Sequence, residues 1–239
     1  MRKILLFVVV AILTLGLATL VWAKIEGTPH DVRVMTGDAD LEPCVMCHTP
    51  HSGTGAYPIW NRDQGAQTYI VYNSPSFDMA PGKQPQSPSS LCLVCHNGVF
   101  SELVNYPSGG SPVNENYDYE MNSYFWAMLG TDLRDEHPIS FTYNPLFDTV
   151  QDNNGFPATV KCSTTDRRWI PMNGKLTFPL YGPQWDQFEC ATCHAVHHTS
   201  PDANYGEEMV GGKSVGSQVY FLRASNAGSE MCQACHVNR

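Results

Sequence analysis

Four short segments of this chain repeat one pattern: Cys44-Val45-Met46-Cys47-His48, Cys92-Leu93-Val94-Cys95-His96, Cys190-Ala191-Thr192-Cys193-His194 and Cys232-Gln233-Ala234-Cys235-His236. Residues three apart share one face of a helical turn, so each segment offers two thiols side by side and a histidine directly after them. This C-x-x-C-H spacing is the attachment signature of c-type haem. The thiols form thioethers to two vinyl groups, and the histidine is the proximal ligand of the iron. The motifs use eight of the nine cysteines. Zinc ribbons and disulfide scaffolds do not require a histidine after the second cysteine, and four such histidines set those readings aside. A chain built around four haems has a large, rigid, apolar interior that its own side chains need not supply.

The rest of the sequence agrees with such an interior. Its 19 glycines and 17 prolines break it into short runs, few of which hold a period beyond one or two turns. The expected fold is mostly irregular and loop-rich, with short helices at the haem motifs, a minor β-hairpin, and haems forming the core. The second motif ends in Asn97-Gly98, a left-handed stop for a short helix. Asn122 to Gly130 is the best candidate for a short buried helix, and His137 to Tyr143 reads as an extended segment with alternating apolar residues. Arg168 to Met172 and Lys175 to Pro179 flank Asn173-Gly174, the signal of a hairpin with a two-residue turn. That hairpin is expected to be a structural flap.

The chain begins Met1-Arg2-Lys3, runs through an apolar stretch from Ile4 to Val21 and reaches Val21-Trp22-Ala23. Residues 1–23 are expected to be a secretory signal peptide cut after Ala23. The stretch is also about long enough to span a bilayer, so an uncleaved anchor is the alternative. Cleavage removes Arg2 and Lys3 from the 14 basic residues, leaving 12 against 23 acidic ones, a formal charge of −11 before any haem propionate is added. That balance argues against nucleic acid or an anionic membrane as partner. Residues 24–239 are expected to form one tetrahaem cytochrome c domain, not integral to a membrane after cleavage. It divides into two pseudo-repeated dihaem units, about 24–98 and 131–239. Each holds an upstream histidine, a C-x-x-C-H-x-x-H and then a C-x-x-C-H.

The histidine count carries the next step. Of nine histidines, His48, His96, His194 and His236 are proximal, which leaves His30, His51, His137, His197 and His198. Four haems each need one sixth ligand. The expectation is therefore bis-histidine iron at every haem, with His30, His51, His137 and His197 as the distal ligands and His198, or His197 in its place, left over. Methionine is the other known axial ligand, but no methionine recurs at a matching offset in both units. His51 follows His48 by three residues, a span of at most about 11 Å even when extended, too short a link to carry it around its own macrocycle. It should serve a neighbouring haem, and the same holds for His197 and His194. His30 stands on an arm with little apolar content, where Pro29 disfavours helix in the preceding residue. It is expected to act in trans, as the ligand of a haem in the next subunit, although folding back onto its own chain is the alternative. Cys162 is expected to be a buried thiol rather than a site.

Cys44 to His51 followed by Pro58-Ile59-Trp60-Asn61, then Leu91 to Gly98, Glu136 to Phe141 and the second C-H-x-x-H, together resemble the multihaem cytochromes c with doubled haem motifs. With four haems and this length, the chain is similar to the extracellular tetrahaem filament, or nanowire, cytochromes of metal-reducing bacteria. The resemblance implies a loop-rich fold, bis-histidine haems stacked in a continuous chain, an axial ligand donated between subunits, and a conductive homo-polymer with head-to-tail contacts. The function it implies is extracellular electron transfer, with other redox proteins or extracellular electron acceptors as partners. A monomeric shuttle in the periplasm or at the outer membrane has the same chemistry. A multihaem reductase would need an iron with an open position, and the histidine count leaves no obvious one.

Overall fold

A computed structural model of the chain describes residues 25–26, 28–31, 33, 39–40, 42–54, 59–63, 65–77, 79, 83–98, 127–147, 156–162, 166–199, 209–210, 213–214 and 220–236. The expected signal peptide at 1–23 lies outside them, as do residues 122–126 of the expected buried helix. Residues 127–130 form no α-helix, and Gly130 takes a left-handed φ of 71°.

Three short α-helices are described: α1 (Ser89–His96), α2 (Cys190–Cys193) and α3 (Glu230–Gln233). They fall at the second, third and fourth C-x-x-C-H segments. The first segment is a single uncontinued turn, closed by the His48 N–H donating to the Cys44 carbonyl at 2.8 Å. In α1, Leu91, Leu93 and Val94 are buried. The helix stops at Asn97, whose N–H still reaches the Leu93 carbonyl, because Gly98 turns left-handed at φ 84°.

The strands are short, and their sheets are small and antiparallel. In chain order they are β1 (Phe141–Thr142), β2 (Val160–Lys161), β3 (Arg168–Met172), β4 (Lys175–Pro179), β5 (Gln187–Phe188), β6 (His194–Thr199), β7 (Met209–Val210), β8 (Lys213–Ser214) and β9 (Tyr220–Leu222). β1 pairs with β5, β2 to β4 make one three-stranded sheet, β6 pairs with β9, and β7 with β8. Low helix content, small antiparallel sheets and long loops are thus the observed architecture.

The hairpin of β3 and β4 has the expected bounds, and Asn173 and Gly174 at its tip both have positive φ, 51° and 74°. That is what a two-residue turn needs if its twist is to match the strands. The flap expectation is corrected by burial. Ile170 and Phe178, paired across the hairpin, are 0% and 1% exposed, and Leu180 just beyond it is 0% exposed. The hairpin is the centre of the hydrophobic core, joined there by Met79, Phe141, Tyr143, Phe188 and Ala224. Phe141 stacks on Phe188 at 5.1 Å between ring centres, and Phe77 meets Phe141 edge-on at 5.2 Å. Each such side chain contributes about 1.5–3 kcal/mol when fully buried. Cys193, Met231, Ala234 and Cys235 pack against this cluster. The core therefore backs directly onto the third and fourth motifs and sets their positions. Among the described residues, no helix is long and apolar enough to cross a membrane.

Candidate functional site

The first three C-x-x-C-H segments are held by hydrogen bonds from segments remote in sequence. A lone turn leaves carbonyls without helical partners, and at the first motif residues 60–62 supply them. The Asn61 amide donates to the Val45 carbonyl at 2.9 Å, its N–H to the Cys47 carbonyl at 2.9 Å, and Arg62 Nε to the Met46 carbonyl at 2.7 Å. Asn61 and Arg62 are buried, and Trp60 pairs with His48 as an isolated β-bridge. At the third motif, Arg223 Nε donates to the Ala191 carbonyl at 2.8 Å and its N–H to the Cys193 carbonyl at 2.9 Å. The second and third motifs are tied together by the Cys190 N–H donating to Ser89 Oγ at 2.8 Å.

These anchors bring the histidines into pairs. The His48 and His197 ring centres are 6.0 Å apart, those of His30 and His96 are 6.0 Å apart, and those of His137 and His236 are 6.4 Å apart. Every pair joins a motif histidine to a histidine from another part of the chain. His51, whose carbonyl accepts from Thr49 Oγ1 at 2.9 Å, and motif His194 complete the two sets. The His198 side chain lies outside the described residues.

No protein-family model matches this chain, and no curated protein matches it.

The donors must therefore be read on their own geometry. Among the described residues, no group of three or more His, Cys, Asp or Glu side chains is arranged to hold a bare metal ion. A haem iron asks for less, since the porphyrin supplies four nitrogens and the protein two axial ligands. A metal–imidazole bond is about 2.0–2.1 Å and an imidazole centre lies about 1.1 Å from its nitrogens, so two rings on opposite sides of one iron have centres about 6.2 Å apart. The three pairs fit that spacing. Both ring planes contain the shared axis, so the angle between them is free to vary, here 25°, 56° and 69°.

Burial favours the neutral form at three of these rings. Burial lowers the His30 pKa to about 4, helped by repulsion from His96, His194 and His197. Burial also lowers His137, against a Pro138 carbonyl that raises it, and lowers His194, where His96 and Arg223 add to the effect. The His137 and His194 side chains keep open surface, yet enough protein rings them to strip away solvation, as happens to groups facing a recess rather than bulk water. The His96 Nδ1 lies 2.7 Å from the Ala127 carbonyl, which leaves Nε2 as the nitrogen open to a metal.

Burial favours the neutral form of several thiols as well. Burial pushes Cys47 up to about 12, with Cys95 adding and Arg62 opposing, and pushes Cys193 up to about 12 with Cys235 adding. Cys92 is raised, first by its hydrogen bond with Cys190 and then by burial, whereas the same bond lowers Cys190. These couplings set the first motif beside the second, the second beside the third and the third beside the fourth. Cys162 is half-buried, and its N–H donates to the Arg167 carbonyl at 3.0 Å.

The His30 ring faces His96 of its own chain and stacks on Phe221 at 4.5 Å, the placement of the folded-back alternative. The arm has more to hold it than its sequence suggests, because buried Ile25, Thr28 and Asp31 flank the histidine and Asp31 pairs with Arg33 at 2.8 Å. Sequence reasoning also passed over Arg62, Glu189 and Phe221, and over the part Asn61 plays at the first motif. None of these belongs to a haem signature, and what identifies them is their burial against one.

Proposed function

We propose that this chain is a tetrahaem c-type cytochrome that carries electrons through closely packed bis-histidine haems outside the cytoplasm. The observation that carries the proposal is the pairing of His48 with His197, His30 with His96 and His137 with His236 at the spacing two axial ligands of one iron require. Cys44, Cys47, Cys92, Cys95, Cys190, Cys193, Cys232 and Cys235 would bind the haems, and His51 with His194 would serve the fourth iron. The haem iron supplies one-electron redox chemistry. The protein's own part is to hold two neutral imidazoles on each iron, which disfavours ligand exchange and argues for transfer over substrate reduction. It also crosses the motifs: the turn 48–51 and strand β6 each carry two iron-binding histidines for two different haems, which forces those haems into contact.

Polymerisation into a conductive extracellular filament is the arrangement the sequence resemblance favours. A self-sufficient monomeric shuttle gains weight from His30, since an arm turned onto its own chain gives His96 a partner ring without a second subunit. Mass spectrometry of the denatured exported protein tests the shared reading: it should weigh the chain from residue 24 plus four haems that survive acid-acetone extraction. Fewer haems, or extractable haem, would refute it. Electron microscopy of material sheared from the cell surface then separates filament from monomer.

A further inference from the structure

Arg167, directly before strand β3, lies over two aromatic rings at the edge of the third motif. Its guanidinium carbon is 4.6 Å from the centre of the Trp185 ring and 5.5 Å from that of Tyr181. The Tyr181 hydroxyl donates at 3.2 Å to the carbonyl of Ala191, between the two cysteines of the motif, and accepts from Arg223 Nη2 at 3.3 Å. The turn that joins the two rings is tight. Gly182 has a φ of 77°, and a Cβ there would meet Gln187 Cγ at 2.6 Å. The Trp185 N–H donates to the Gly182 carbonyl at 3.1 Å, and Trp185 is itself left-handed at φ 54°. A bulky side chain held in that region is strained, and such strain collects at sites that act on something.

A cation over two rings can serve only to cover them, but its hydrogen-bond donors set Arg167 apart. Its carbonyl accepts from the Cys162 N–H, yet among the described residues no hydrogen bond or ion pair engages its guanidinium. The acids nearest in sequence to it and to Trp185 are engaged elsewhere: Asp166 faces Lys161 at 3.8 Å, and Asp186 Oδ1 accepts from Gln187 Nε2 at 3.0 Å. Arg167, Trp185 and Tyr181 are each half-buried, so the group keeps a side open to solvent. A planar guanidinium steadied by rings can offer two parallel N–H bonds to a carboxylate and lose little side-chain freedom in doing so. Trp, Tyr and Arg are also the residues that dominate binding at protein interfaces. On a chain of net charge −9, a fixed cation with exposed Arg168 beside it marks one approach for an acidic protein.

We propose that Arg167, with Trp185 and Tyr181, is the docking point for a carboxylate on an acidic redox protein, which it seats against the third motif. The proposal rests on the tetrahaem reading above. One electron leaves the reduced partner, which is oxidised, and arrives at the ferric haem of the third motif, which is reduced, and no bond is made or broken. Tyr181 reaches from the docking face to the motif backbone.

The test is stopped-flow reduction of the oxidised haem-loaded protein by reduced flavodoxin, an acidic one-electron donor, as salt is raised, with haem counted by mass in every sample. The wild-type rate should fall steeply with salt. Arg167→Met keeps a long side chain over the rings without the charge, so its low-salt rate should be lower by about fivefold or more and should lose most of its salt dependence. Reduction by a small neutral reductant, which needs no docking, should not change. Arg134→Gln alters the net charge equally by removing an exposed guanidinium paired with Asp132, and should leave the flavodoxin rate near the wild type. Should Arg167→Met fail to mature, Trp185→Leu, which takes away the nearer ring, decides by the same rate. Four haems and a wild-type flavodoxin rate in these variants would overturn the docking point and leave the cytochrome standing. Calorimetry showing that inorganic phosphate binds the wild type and not Arg167→Met, with that rate unchanged, would overturn it in favour of a site for free oxyanions. Absence of covalent haem in the wild type would overturn both readings.

Discussion

The first motif offers a direct energetic test, because a side chain outside it holds it in shape. In Asn61→Ala the Asn61 N–H still reaches the Cys47 carbonyl and Arg62 still reaches Met46, but the Val45 carbonyl loses its 2.9 Å donor at a site where Asn61 is only 1% exposed. A buried acceptor left unpaired costs about 1–3 kcal/mol, and because the Val45 carbonyl is only half-buried and water reaches part of it, the loss should fall near the lower end, about 1 kcal/mol. Asn61→Asp is the sharper probe. It keeps the shape but sets an acceptor-only carboxylate against a carbonyl oxygen, so it should destabilise more than Ala despite resembling Asn more closely. Denaturant unfolding of the haem-loaded protein, followed by far-ultraviolet circular dichroism, reads both values. Unchanged stability in Asn61→Ala, or better tolerance of Asp than of Ala, would refute the idea that this bond secures the motif.

Four further outcomes are expected. His197→Ala should convert one haem in four to high spin by leaving His48 without its partner, and His51→Ala should convert a different one, so the double variant should lose two. His30→Ala should free one haem even in dilute monomer, and in the wild type dilution should leave that haem low-spin, since a ligand from the same chain does not depend on protein concentration. Phe178→Ala should cost about 3–5 kcal/mol by opening a cavity at the centre of the core, read as a lower unfolding midpoint with haem content preserved. Glu189 has a folded pKa raised from 4.5 to about 7, so its contribution is fully present below pH 4.5 and declines until about pH 7. Relative to Glu189→Gln, wild-type stability should fall by about 3 kcal/mol across that window.

What could be read in the sequence follows from how local each signal is. The β3–β4 hairpin is legible because Asn-Gly asks for two positive φ values in succession, a property of two residues alone. Its place at the centre of the core was not legible, since the residues that bury Ile170 and Phe178 there, Met79, Phe141, Phe188 and Ala224, come from segments outside the hairpin. The stop at Asn97-Gly98 is local in the same way. Chain reach argues against His51 and His197 serving irons at their own motifs, but the opposition of His48 to His197 depends on where 148 residues of intervening chain return. The place of His30 against its own chain was not legible for a physical reason. Its arm has few apolar residues, and the Phe221 ring against which it packs comes from β9, at the far end of the sequence.

The central claim is that each chain carries four irons, each held between two histidines. Electron paramagnetic resonance of the oxidised protein, with spins counted per chain, addresses it most directly. The account predicts four low-spin ferric haems per chain with nitrogen on both axial positions and no stoichiometric high-spin signal. A full equivalent of high-spin haem would mean an iron open to substrate and would move the protein toward a reductase, and a chain without ferric haem signals would contradict the account outright.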